Sequence, residues 1–350
     1  MNAECRVDAV EWERWGQDCL RVQGFSEEDA RCLAESLART SLWGIDSHGI
    51  ARLPHYLNRV AHGSIVARPA IRIERTGPGT AQLHGAQGQG IVVAHRANAL
   101  AIELAREAGI AAVGVSDSSH CGAVGLYSRA AAAQGLVGIA FTHSDSIAAP
   151  HGGYQPFFGT NPISMAFPRA GGEPLCLDMA TTAIPWNRVM NARRDGVALP
   201  PGVALDAQGH DCTDAAQARA LRPLGGEDYG HKGYGLAMMI ELLCGPLNGN
   251  PFGPHISPMY DALERPRELG AFFIVIDPLR FAGGVALAGV VAAMAMELTQ
   301  APGGPRMPGD PEAAANAERQ QLGIPIPPAL WDDMADWSAR LGVALPARRA

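Results

Sequence analysis

The stretch GHKGYGLAMMIELL, residues 230–243, is where a nucleotide-binding fold would have to declare itself. Glycines let a backbone approach an anion, a following helix offers unpaired N–H groups, and Lys232 adds a positive charge. A Gly-rich turn with a solvated lysine accounts for the same letters, and spacing does not separate the two. The order is G-x-x-G-x-G, not the G-x-G-x-x-G of a dinucleotide-binding domain, and it follows the loop RPLGGEDY rather than a strand. A Walker A loop fails too, because His231 follows Gly230 where lysine is required. The second candidate, GAQGQG at 85–90, repeats the wrong order behind AQLHG, a poor strand. A standard Rossmann domain is therefore disfavoured.

Working outward, apolar runs alternate with helical patterns on both sides of this stretch. IAAVGVSDSSHCG, LVGIAFTHSDS, ISMAF, LCLDMA and AFFIVIDP read as strands, several of them ending in hydroxyls, acids and histidines. Helices are expected over 91–108, closed by Gly109, and near 123–134. FSEEDARCLAESLARTSLWG opens with a capping box from Ser26 to Asp29 and stops at Gly44. The tail after Pro302 is polar and Pro-rich and closes in a helix around 330–341. GGVALAGVVAAMAMEL, 283–298, is too short and too rich in Ala and Gly for a membrane span, so a buried helix is expected. Alternation of this kind argues an α/β protein whose polar residues gather at strand ends.

Composition narrows the classes. A chain of 350 residues with 47% hydrophobic and 18% charged residues can bury two or three cores and reads as a soluble globule. A net charge of −7 argues against nucleic-acid or anionic-membrane partners. The seven cysteines are scattered and never form C-x-x-C, which fits reduced thiols in the cytoplasm rather than disulfides or zinc. The first twenty residues carry charges throughout and show no signal-peptide pattern.

GIDSHGIARLPHYL, 44–57, concentrates reactive types: Ser47, His48, Arg52 and a Tyr four residues later. A serine nucleophile belongs on a G-x-S-x-G elbow with its histidine distant in sequence, and adjacent residues rarely face one another. A metal site drawn from His48, His120, His143 and His151 has no H-x-x-x-H helix or Cys/His cluster behind it. Redox chemistry uses the same atoms better. Histidine moves a proton near neutral pH, and arginine forks a carboxylate. His120, in the polar turn after a strand, is a second proton-transfer candidate, and Asp178 in LDMATT could accept from a ribose or an amide or simply cap the next segment.

Six motifs in order, GIDSHGIARLPHYL, VSDSSHCGAVGLYSRAA, GTNPISMAFP, LDMATT, GHKGYGLAMMIELL and SPMYD…LGAFFIVIDP, resemble the malate/L-lactate dehydrogenase family of oxidoreductases, from about residue 5 to 340. The resemblance implies a non-Rossmann α/β fold with a mixed sheet. It implies a helical N-terminal part (1–75) joined by the C-terminal segment (300–350), a cofactor- and substrate-binding core (76–299), and an intertwined homodimer. It further implies NAD or NADP as cofactor and a small 2-hydroxy or 2-oxo acid as substrate. By position, Ser47 and His48 resemble the proton-relay pair, Arg52 the carboxylate clamp and His120 the acid/base, with His48 or His120 moving the proton. Thr160 resembles a substrate contact. The cofactor positions are His120, Cys121, Gly122, Ala123, Val124, Ser144, Asp178, Met179, Ala180, Lys232, Pro308, Gly309 and Asp310, with no metal. Imine-reducing members carry Asp where Arg188 stands here, and hydroxy-acid members usually carry Lys, so the hydroxy-acid branch is favoured over a cyclic-imine or diketogulonate-type reductase. Pro185, Trp186 and Asn187 replace smaller residues next to the substrate, and His143 replaces a more usual Asn.

Overall fold

The computed structural model describes residues 5–282 and 284–349. AFFIVIDP forms the strand Leu269–Ile276 at the middle of a seven-stranded sheet. Across the sheet the strands run Arg72–Gly77, Thr80–Gly88, Ile110–Ser118, Leu269–Ile276, Val137–Thr142, Ile163–Phe167 and Leu175–Met179. Only Thr80–Gly88 and Ile110–Ser118 pair in parallel, so the sheet is mixed. Alternation along the central strand separates its two faces. Phe273 and Val275 enter one core with Val93, Ala97, Leu104 and Tyr127 of the helices Gly90–Ala108 and Gly125–Ala132. Phe272 and Ile274 face the helix Gly226–Cys244 with Phe141, Ile240 and Cys244. That helix can close on the sheet because position 270 is glycine: a Cβ there would overlap the Cys244 carbonyl.

Both glycine runs depart from their sequence readings. AQLHG is a sound strand, part of Thr80–Gly88, and GAQGQG leads straight into helix Gly90–Ala108. The donors at that helix start are consumed internally. Gly90 N–H goes to Ser119 Oγ at 2.8 Å, and the N–H groups of Ile91 and Val92 go to Gln89 Oε1 at 2.7 and 3.3 Å. A pyrophosphate would find nothing to bind, which is the physical reason a strand–glycine–helix unit here is not a Rossmann site. GHKGYG is not a loop before a helix; it lies within Gly226–Cys244, where its N–H groups are spent on the helix.

Chain ends and beginning share a separate core. Trp12, Trp15, Leu33, Leu37, Leu53 and Tyr56 from the first three helices pack with Met334 and Trp337 of helix Pro328–Leu341. Trp15 Nε1 donates to Ser338 Oγ at 2.8 Å. Arg6–Val7 lies between Ile324–Pro325 and Arg348–Arg349 in a three-stranded antiparallel sheet. Ser26 caps helix Glu27–Leu42 by accepting from Asp29 N–H at 3.1 Å, while the Asp29 carboxylate turns away to Arg96 at 2.6 Å, so the capping box is one-sided. A further small core, around Ile184, Val189, Leu199 and Leu221, packs the segment between the last edge strand and helix Gly226–Cys244.

The apolar run 283–298 forms helix Gly284–Gln300, with Gly283 outside the described residues. It is not buried as expected: Val290 is 63% exposed, and Met294, Met296 and Leu298 are exposed as well. No helix among the described residues is long and apolar enough to cross a membrane.

Candidate active site

Strand Ile110–Ser118 ends beside the sheet centre, and the connection to helix Gly125–Ala132 carries His120. The opposite wall is the segment after helix Glu27–Leu42. Gly44 takes φ +79°, and two short 3₁₀ turns follow, Asp46–His48 and Ile50–Arg52. Gly49 lies so close to Ser41 that a Cβ would overlap its hydroxyl, and Ser41 Oγ accepts Ile50 N–H at 2.9 Å. The wall so fixed sets His48 against His120, with ring centroids 5.4 Å apart and planes inclined by 27°.

Ser47 Oγ lies 2.8 Å from His48 Nδ1, so these adjacent residues do meet, against the sequence expectation. Arg52 is buried. Its Nε donates to the Ser47 carbonyl and its Nη1 to the Tyr260 hydroxyl at 2.6 Å. Among the described residues no acceptor engages Nη2. Tyr56, one turn beyond Arg52, places its hydroxyl 2.6 Å from His120 Nδ1, and Gly122 N–H reaches the same nitrogen at 3.3 Å. A backbone N–H only donates, so Nδ1 accepts, the Tyr56 hydroxyl donates, and the neutral ring carries its proton on Nε2.

Burial governs the electrostatics. It pushes the His48 imidazole down to about 3, helped by the Arg52 charge. His120 is held well below its ordinary value by burial first, then by His48, Arg52 and Arg267. His55, whose ring is 5.4 Å from that of Tyr260, also falls to about 3 through burial and Arg59. Arg267 is 2% exposed and pairs with Asp145. The result is a cationic pocket with neutral imidazoles. A bound carboxylate offsets the Arg52 charge and raises the proton affinity of both rings.

Beside this pocket Asp178 accepts Gly125 N–H at 2.8 Å, and burial lifts its carboxyl to about 6 against the lowering effects of that N–H and of Arg129. Position 125 admits only glycine's outline, since a Cβ would stand 2.7 Å from Asp178 Oδ2. The N–H groups of Ala123 and Val124 find no acceptor among the described residues, so the helix mouth still offers donors. The turn at Pro308, Gly309 and Asp310 lies alongside: Cys176 N–H donates to the Pro308 carbonyl at 3.4 Å, and a Cβ on Gly309 would sit 3.3 Å from Arg129 Nη2. Unspent donors, a protonatable acid and the glycines at 125 and 309 are compatible with a dinucleotide, which His120 to Val124, Asp178 to Ala180 and 308–310 would hold.

Other expected site residues are placed less directly. Asn187 Nδ2 reaches the Ser47 carbonyl at 3.4 Å, whereas Trp186 packs toward Ala148, Ile184 and Val189, and Arg188 is exposed. The Thr160 carbonyl accepts from both the N–H and the hydroxyl of Thr181 at 2.9 Å. Ser144 is half-buried. Lys232 is exposed, with Nζ 5.4 Å from the Tyr229 ring centre. The four histidines weighed for a metal do not converge: His143 bonds to Glu241 at 3.4 Å and accepts Gly270 N–H at 2.8 Å, and His151 lies against His231. Tyr260, Arg267 and Asp145 escaped the sequence reading, and Tyr56 was noted there without a role. Its spacing of i+4 from Arg52 puts the two side chains on one helical face.

Two neutral histidines stacked on one another near an arginine with a spare donor can move a proton and hold a carboxylate. The sequence profile of malate/L-lactate dehydrogenase matches residues 7–335. The chain is 39% identical over 255 residues to the ureidoglycolate dehydrogenase (NAD(+)) of Escherichia coli strain K12, covering 73% of this chain and 72% of that protein. It is 36% identical over 335 residues to the malate dehydrogenase of Pyrococcus abyssi, covering 93% and 91%. The solved sulfolactate dehydrogenase from Methanocaldococcus jannaschii superposes with a TM-score of 0.90 at 31% identity, covering 97% and 98%. The chain belongs to the malate/L-lactate dehydrogenase family. It is an NAD(P)-dependent dehydrogenase acting on the CH–OH group of a small hydroxy acid.

Proposed function

We propose that His48 and His120 move the proton, and Arg52 holds the carboxylate, while hydride passes between C2 of a 2-hydroxy acid and NAD or NADP. The stack of His48 on His120 within reach of the Arg52 charge carries this reading. The bound nicotinamide supplies the hydride acceptor. Arg52 fixes the carboxylate, so C2 and its hydroxyl face the two rings. In oxidation the hydroxyl proton goes to an imidazole nitrogen that carries none, His48 Nε2 when Nδ1–H donates to Ser47 Oγ, as hydride leaves C2 and the C2=O bond forms. In reduction a ring N–H returns that proton to the oxygen. Ser47 steadies His48, and Tyr56 steadies His120. Thr160 and the segment Trp186, Asn187, Arg188 border the substrate. Ser144, Lys232, Asp178 to Ala180 and 308–310 hold the cofactor.

The names of the relatives point to malate, ureidoglycolate and sulfolactate as the first acids to try. A panel of 2-oxo acids and cyclic imines, followed at the nicotinamide absorbance band with NADH and NADPH, tests this. Turnover of at least one 2-oxo acid well above every cyclic imine is expected. Activity confined to piperideine- or pyrroline-2-carboxylate would replace this reading with the imine reductase.

We further propose a homodimer. Support comes from the exposed apolar residues of helix Gly284–Gln300 and from Met238, Met239 and Leu242 on helix Gly226–Cys244. Sedimentation equilibrium at micromolar concentration is expected to give twice the 36.8 kDa chain mass, and a monomer there overturns the assignment. Scattered cysteines support a cytoplasmic location, which cell fractionation checks.

A further inference from the structure

The segment carrying Ser47 and His48 is fastened from the far end of the sequence. Arg319 lies in the last turn of helix Asp310–Leu322, and its side chain is 15% exposed. It donates through Nη1 to the Ser41 carbonyl at 2.6 Å and to Asp46 Oδ1, and through Nη2 to Asp46 Oδ2 at 3.0 Å. Asp46 opens the 3₁₀ turn Asp46–His48, so a forked ion pair grips the residue immediately before the relay pair. The same helix lies against the start of the segment, where a Cβ on Gly44 would stand 3.1 Å from Ala315 Cβ.

The helix begins at the 308–310 turn. Gly309 caps it with φ +98°, and Asp310 Oδ2 accepts Met307 N–H at 2.8 Å. Nine steps of helix, about 13–14 Å at 1.5 Å per residue, carry the chain from Asp310 to Arg319. A second link runs parallel to it: Arg129, beside Gly309, stacks its guanidinium 4.8 Å from the Trp43 ring, one residue before Gly44.

We propose that Arg319 is a positioning residue: through Asp46 it holds Ser47 and His48 in line with His120, and helix Asp310–Leu322 ties that alignment to the 308–310 turn. The inference rests on the relay role of His48 given above. An exposed carboxylate adds little stability through such a pair, because water and salt screen it. The bidentate fork nevertheless fixes direction, and a displacement of about 1 Å at a reacting group costs about 10²-fold in rate.

The test uses Arg319→Met, which keeps the aliphatic stem, Arg319→Lys, and Asp46→Asn, which attacks the same bond from the other side. Arg319→Met and Asp46→Asn are expected to lower kcat by about 10–10²-fold, with cofactor Kd and the thermal midpoint close to wild type. Arg319→Lys restores the charge without the fork and recovers only part of the loss. In a His48→Ala background Arg319→Met is expected to cost no more than about twofold, because the group it aims is gone. An unchanged kcat in both Arg319→Met and Asp46→Asn overturns the proposal, as does a loss that multiplies fully with that of His48→Ala. Undiminished turnover by His48→Ala itself instead overturns the relay reading beneath it.

Discussion

His120→Ala is expected to lower kcat by about 10²–10⁴-fold, the usual contribution of a positioned acid–base group. His48→Ala is expected to lose rate by orders of magnitude as well, and the larger of the two losses marks the ring that exchanges its proton with substrate. Near-normal turnover by both variants on the true substrate would exclude the mechanism. The pH profile supplies an independent check with a definite sign. Both imidazoles lie below their ordinary value, His48 at about 3, so the free enzyme presents neutral rings at neutral pH. For hydroxy-acid oxidation kcat/KM therefore does not fall as pH drops from 7 to 6, where an unperturbed histidine would already be protonating. The cost appears in stability. An unfolded chain takes protons on these histidines as pH falls below 6.5, and the folded chain does not, so stability declines between 6.5 and about 3.

Arg52→Met is expected to raise the KM for the acid by about 10²–10³-fold with little change in cofactor Kd. Removing one partner of a buried, hydrogen-bonded charge pair costs about 2–5 kcal/mol, which corresponds to roughly 30-fold to several thousand-fold in affinity. Arg52 is 8% exposed and is aimed from two sides, by the Ser47 carbonyl and the Tyr260 hydroxyl. Lysine offers a point charge that cannot serve the Ser47 carbonyl, Tyr260 and substrate together, so Arg52→Lys is expected to recover little. A KM within threefold of wild type in Arg52→Met would remove this residue from the carboxylate site.

Much of this architecture can be read in one dimension. Leu269–Ile276 is an unbroken apolar run because both its faces are covered, and helix Gly90–Ala108 ends at Gly109 because the chain there turns through φ +89°. The Ser47, His48 and Arg52 cluster was visible because all three side chains come from one local segment. What failed to show depends on long-range partners. The helix Gly226–Cys244 hides its start because Gly225 and Gly226, not the later glycines, make the turn into it. Helix Gly284–Gln300 looked like core because composition reports only that a surface wants covering. Tyr260 and Arg267 reach the pocket from over a hundred residues away, and Asp145 enters it through Arg267, with no spacing to betray them.

The central strand of the sheet is also the last of its seven to be synthesised. Ile110–Ser118 and Val137–Thr142 flank it, yet they share no ladder with each other; each pairs with Leu269–Ile276, more than 120 residues further along. Until that strand arrives, two apolar strands present bare edges toward the same gap, the arrangement most open to pairing with a neighbouring chain. The sheet of this enzyme is thus closed at its middle, by its last strand. The folding rate is set by contacts of high sequence separation, and the nascent chain depends on keeping that gap guarded until residue 276 has left the ribosome.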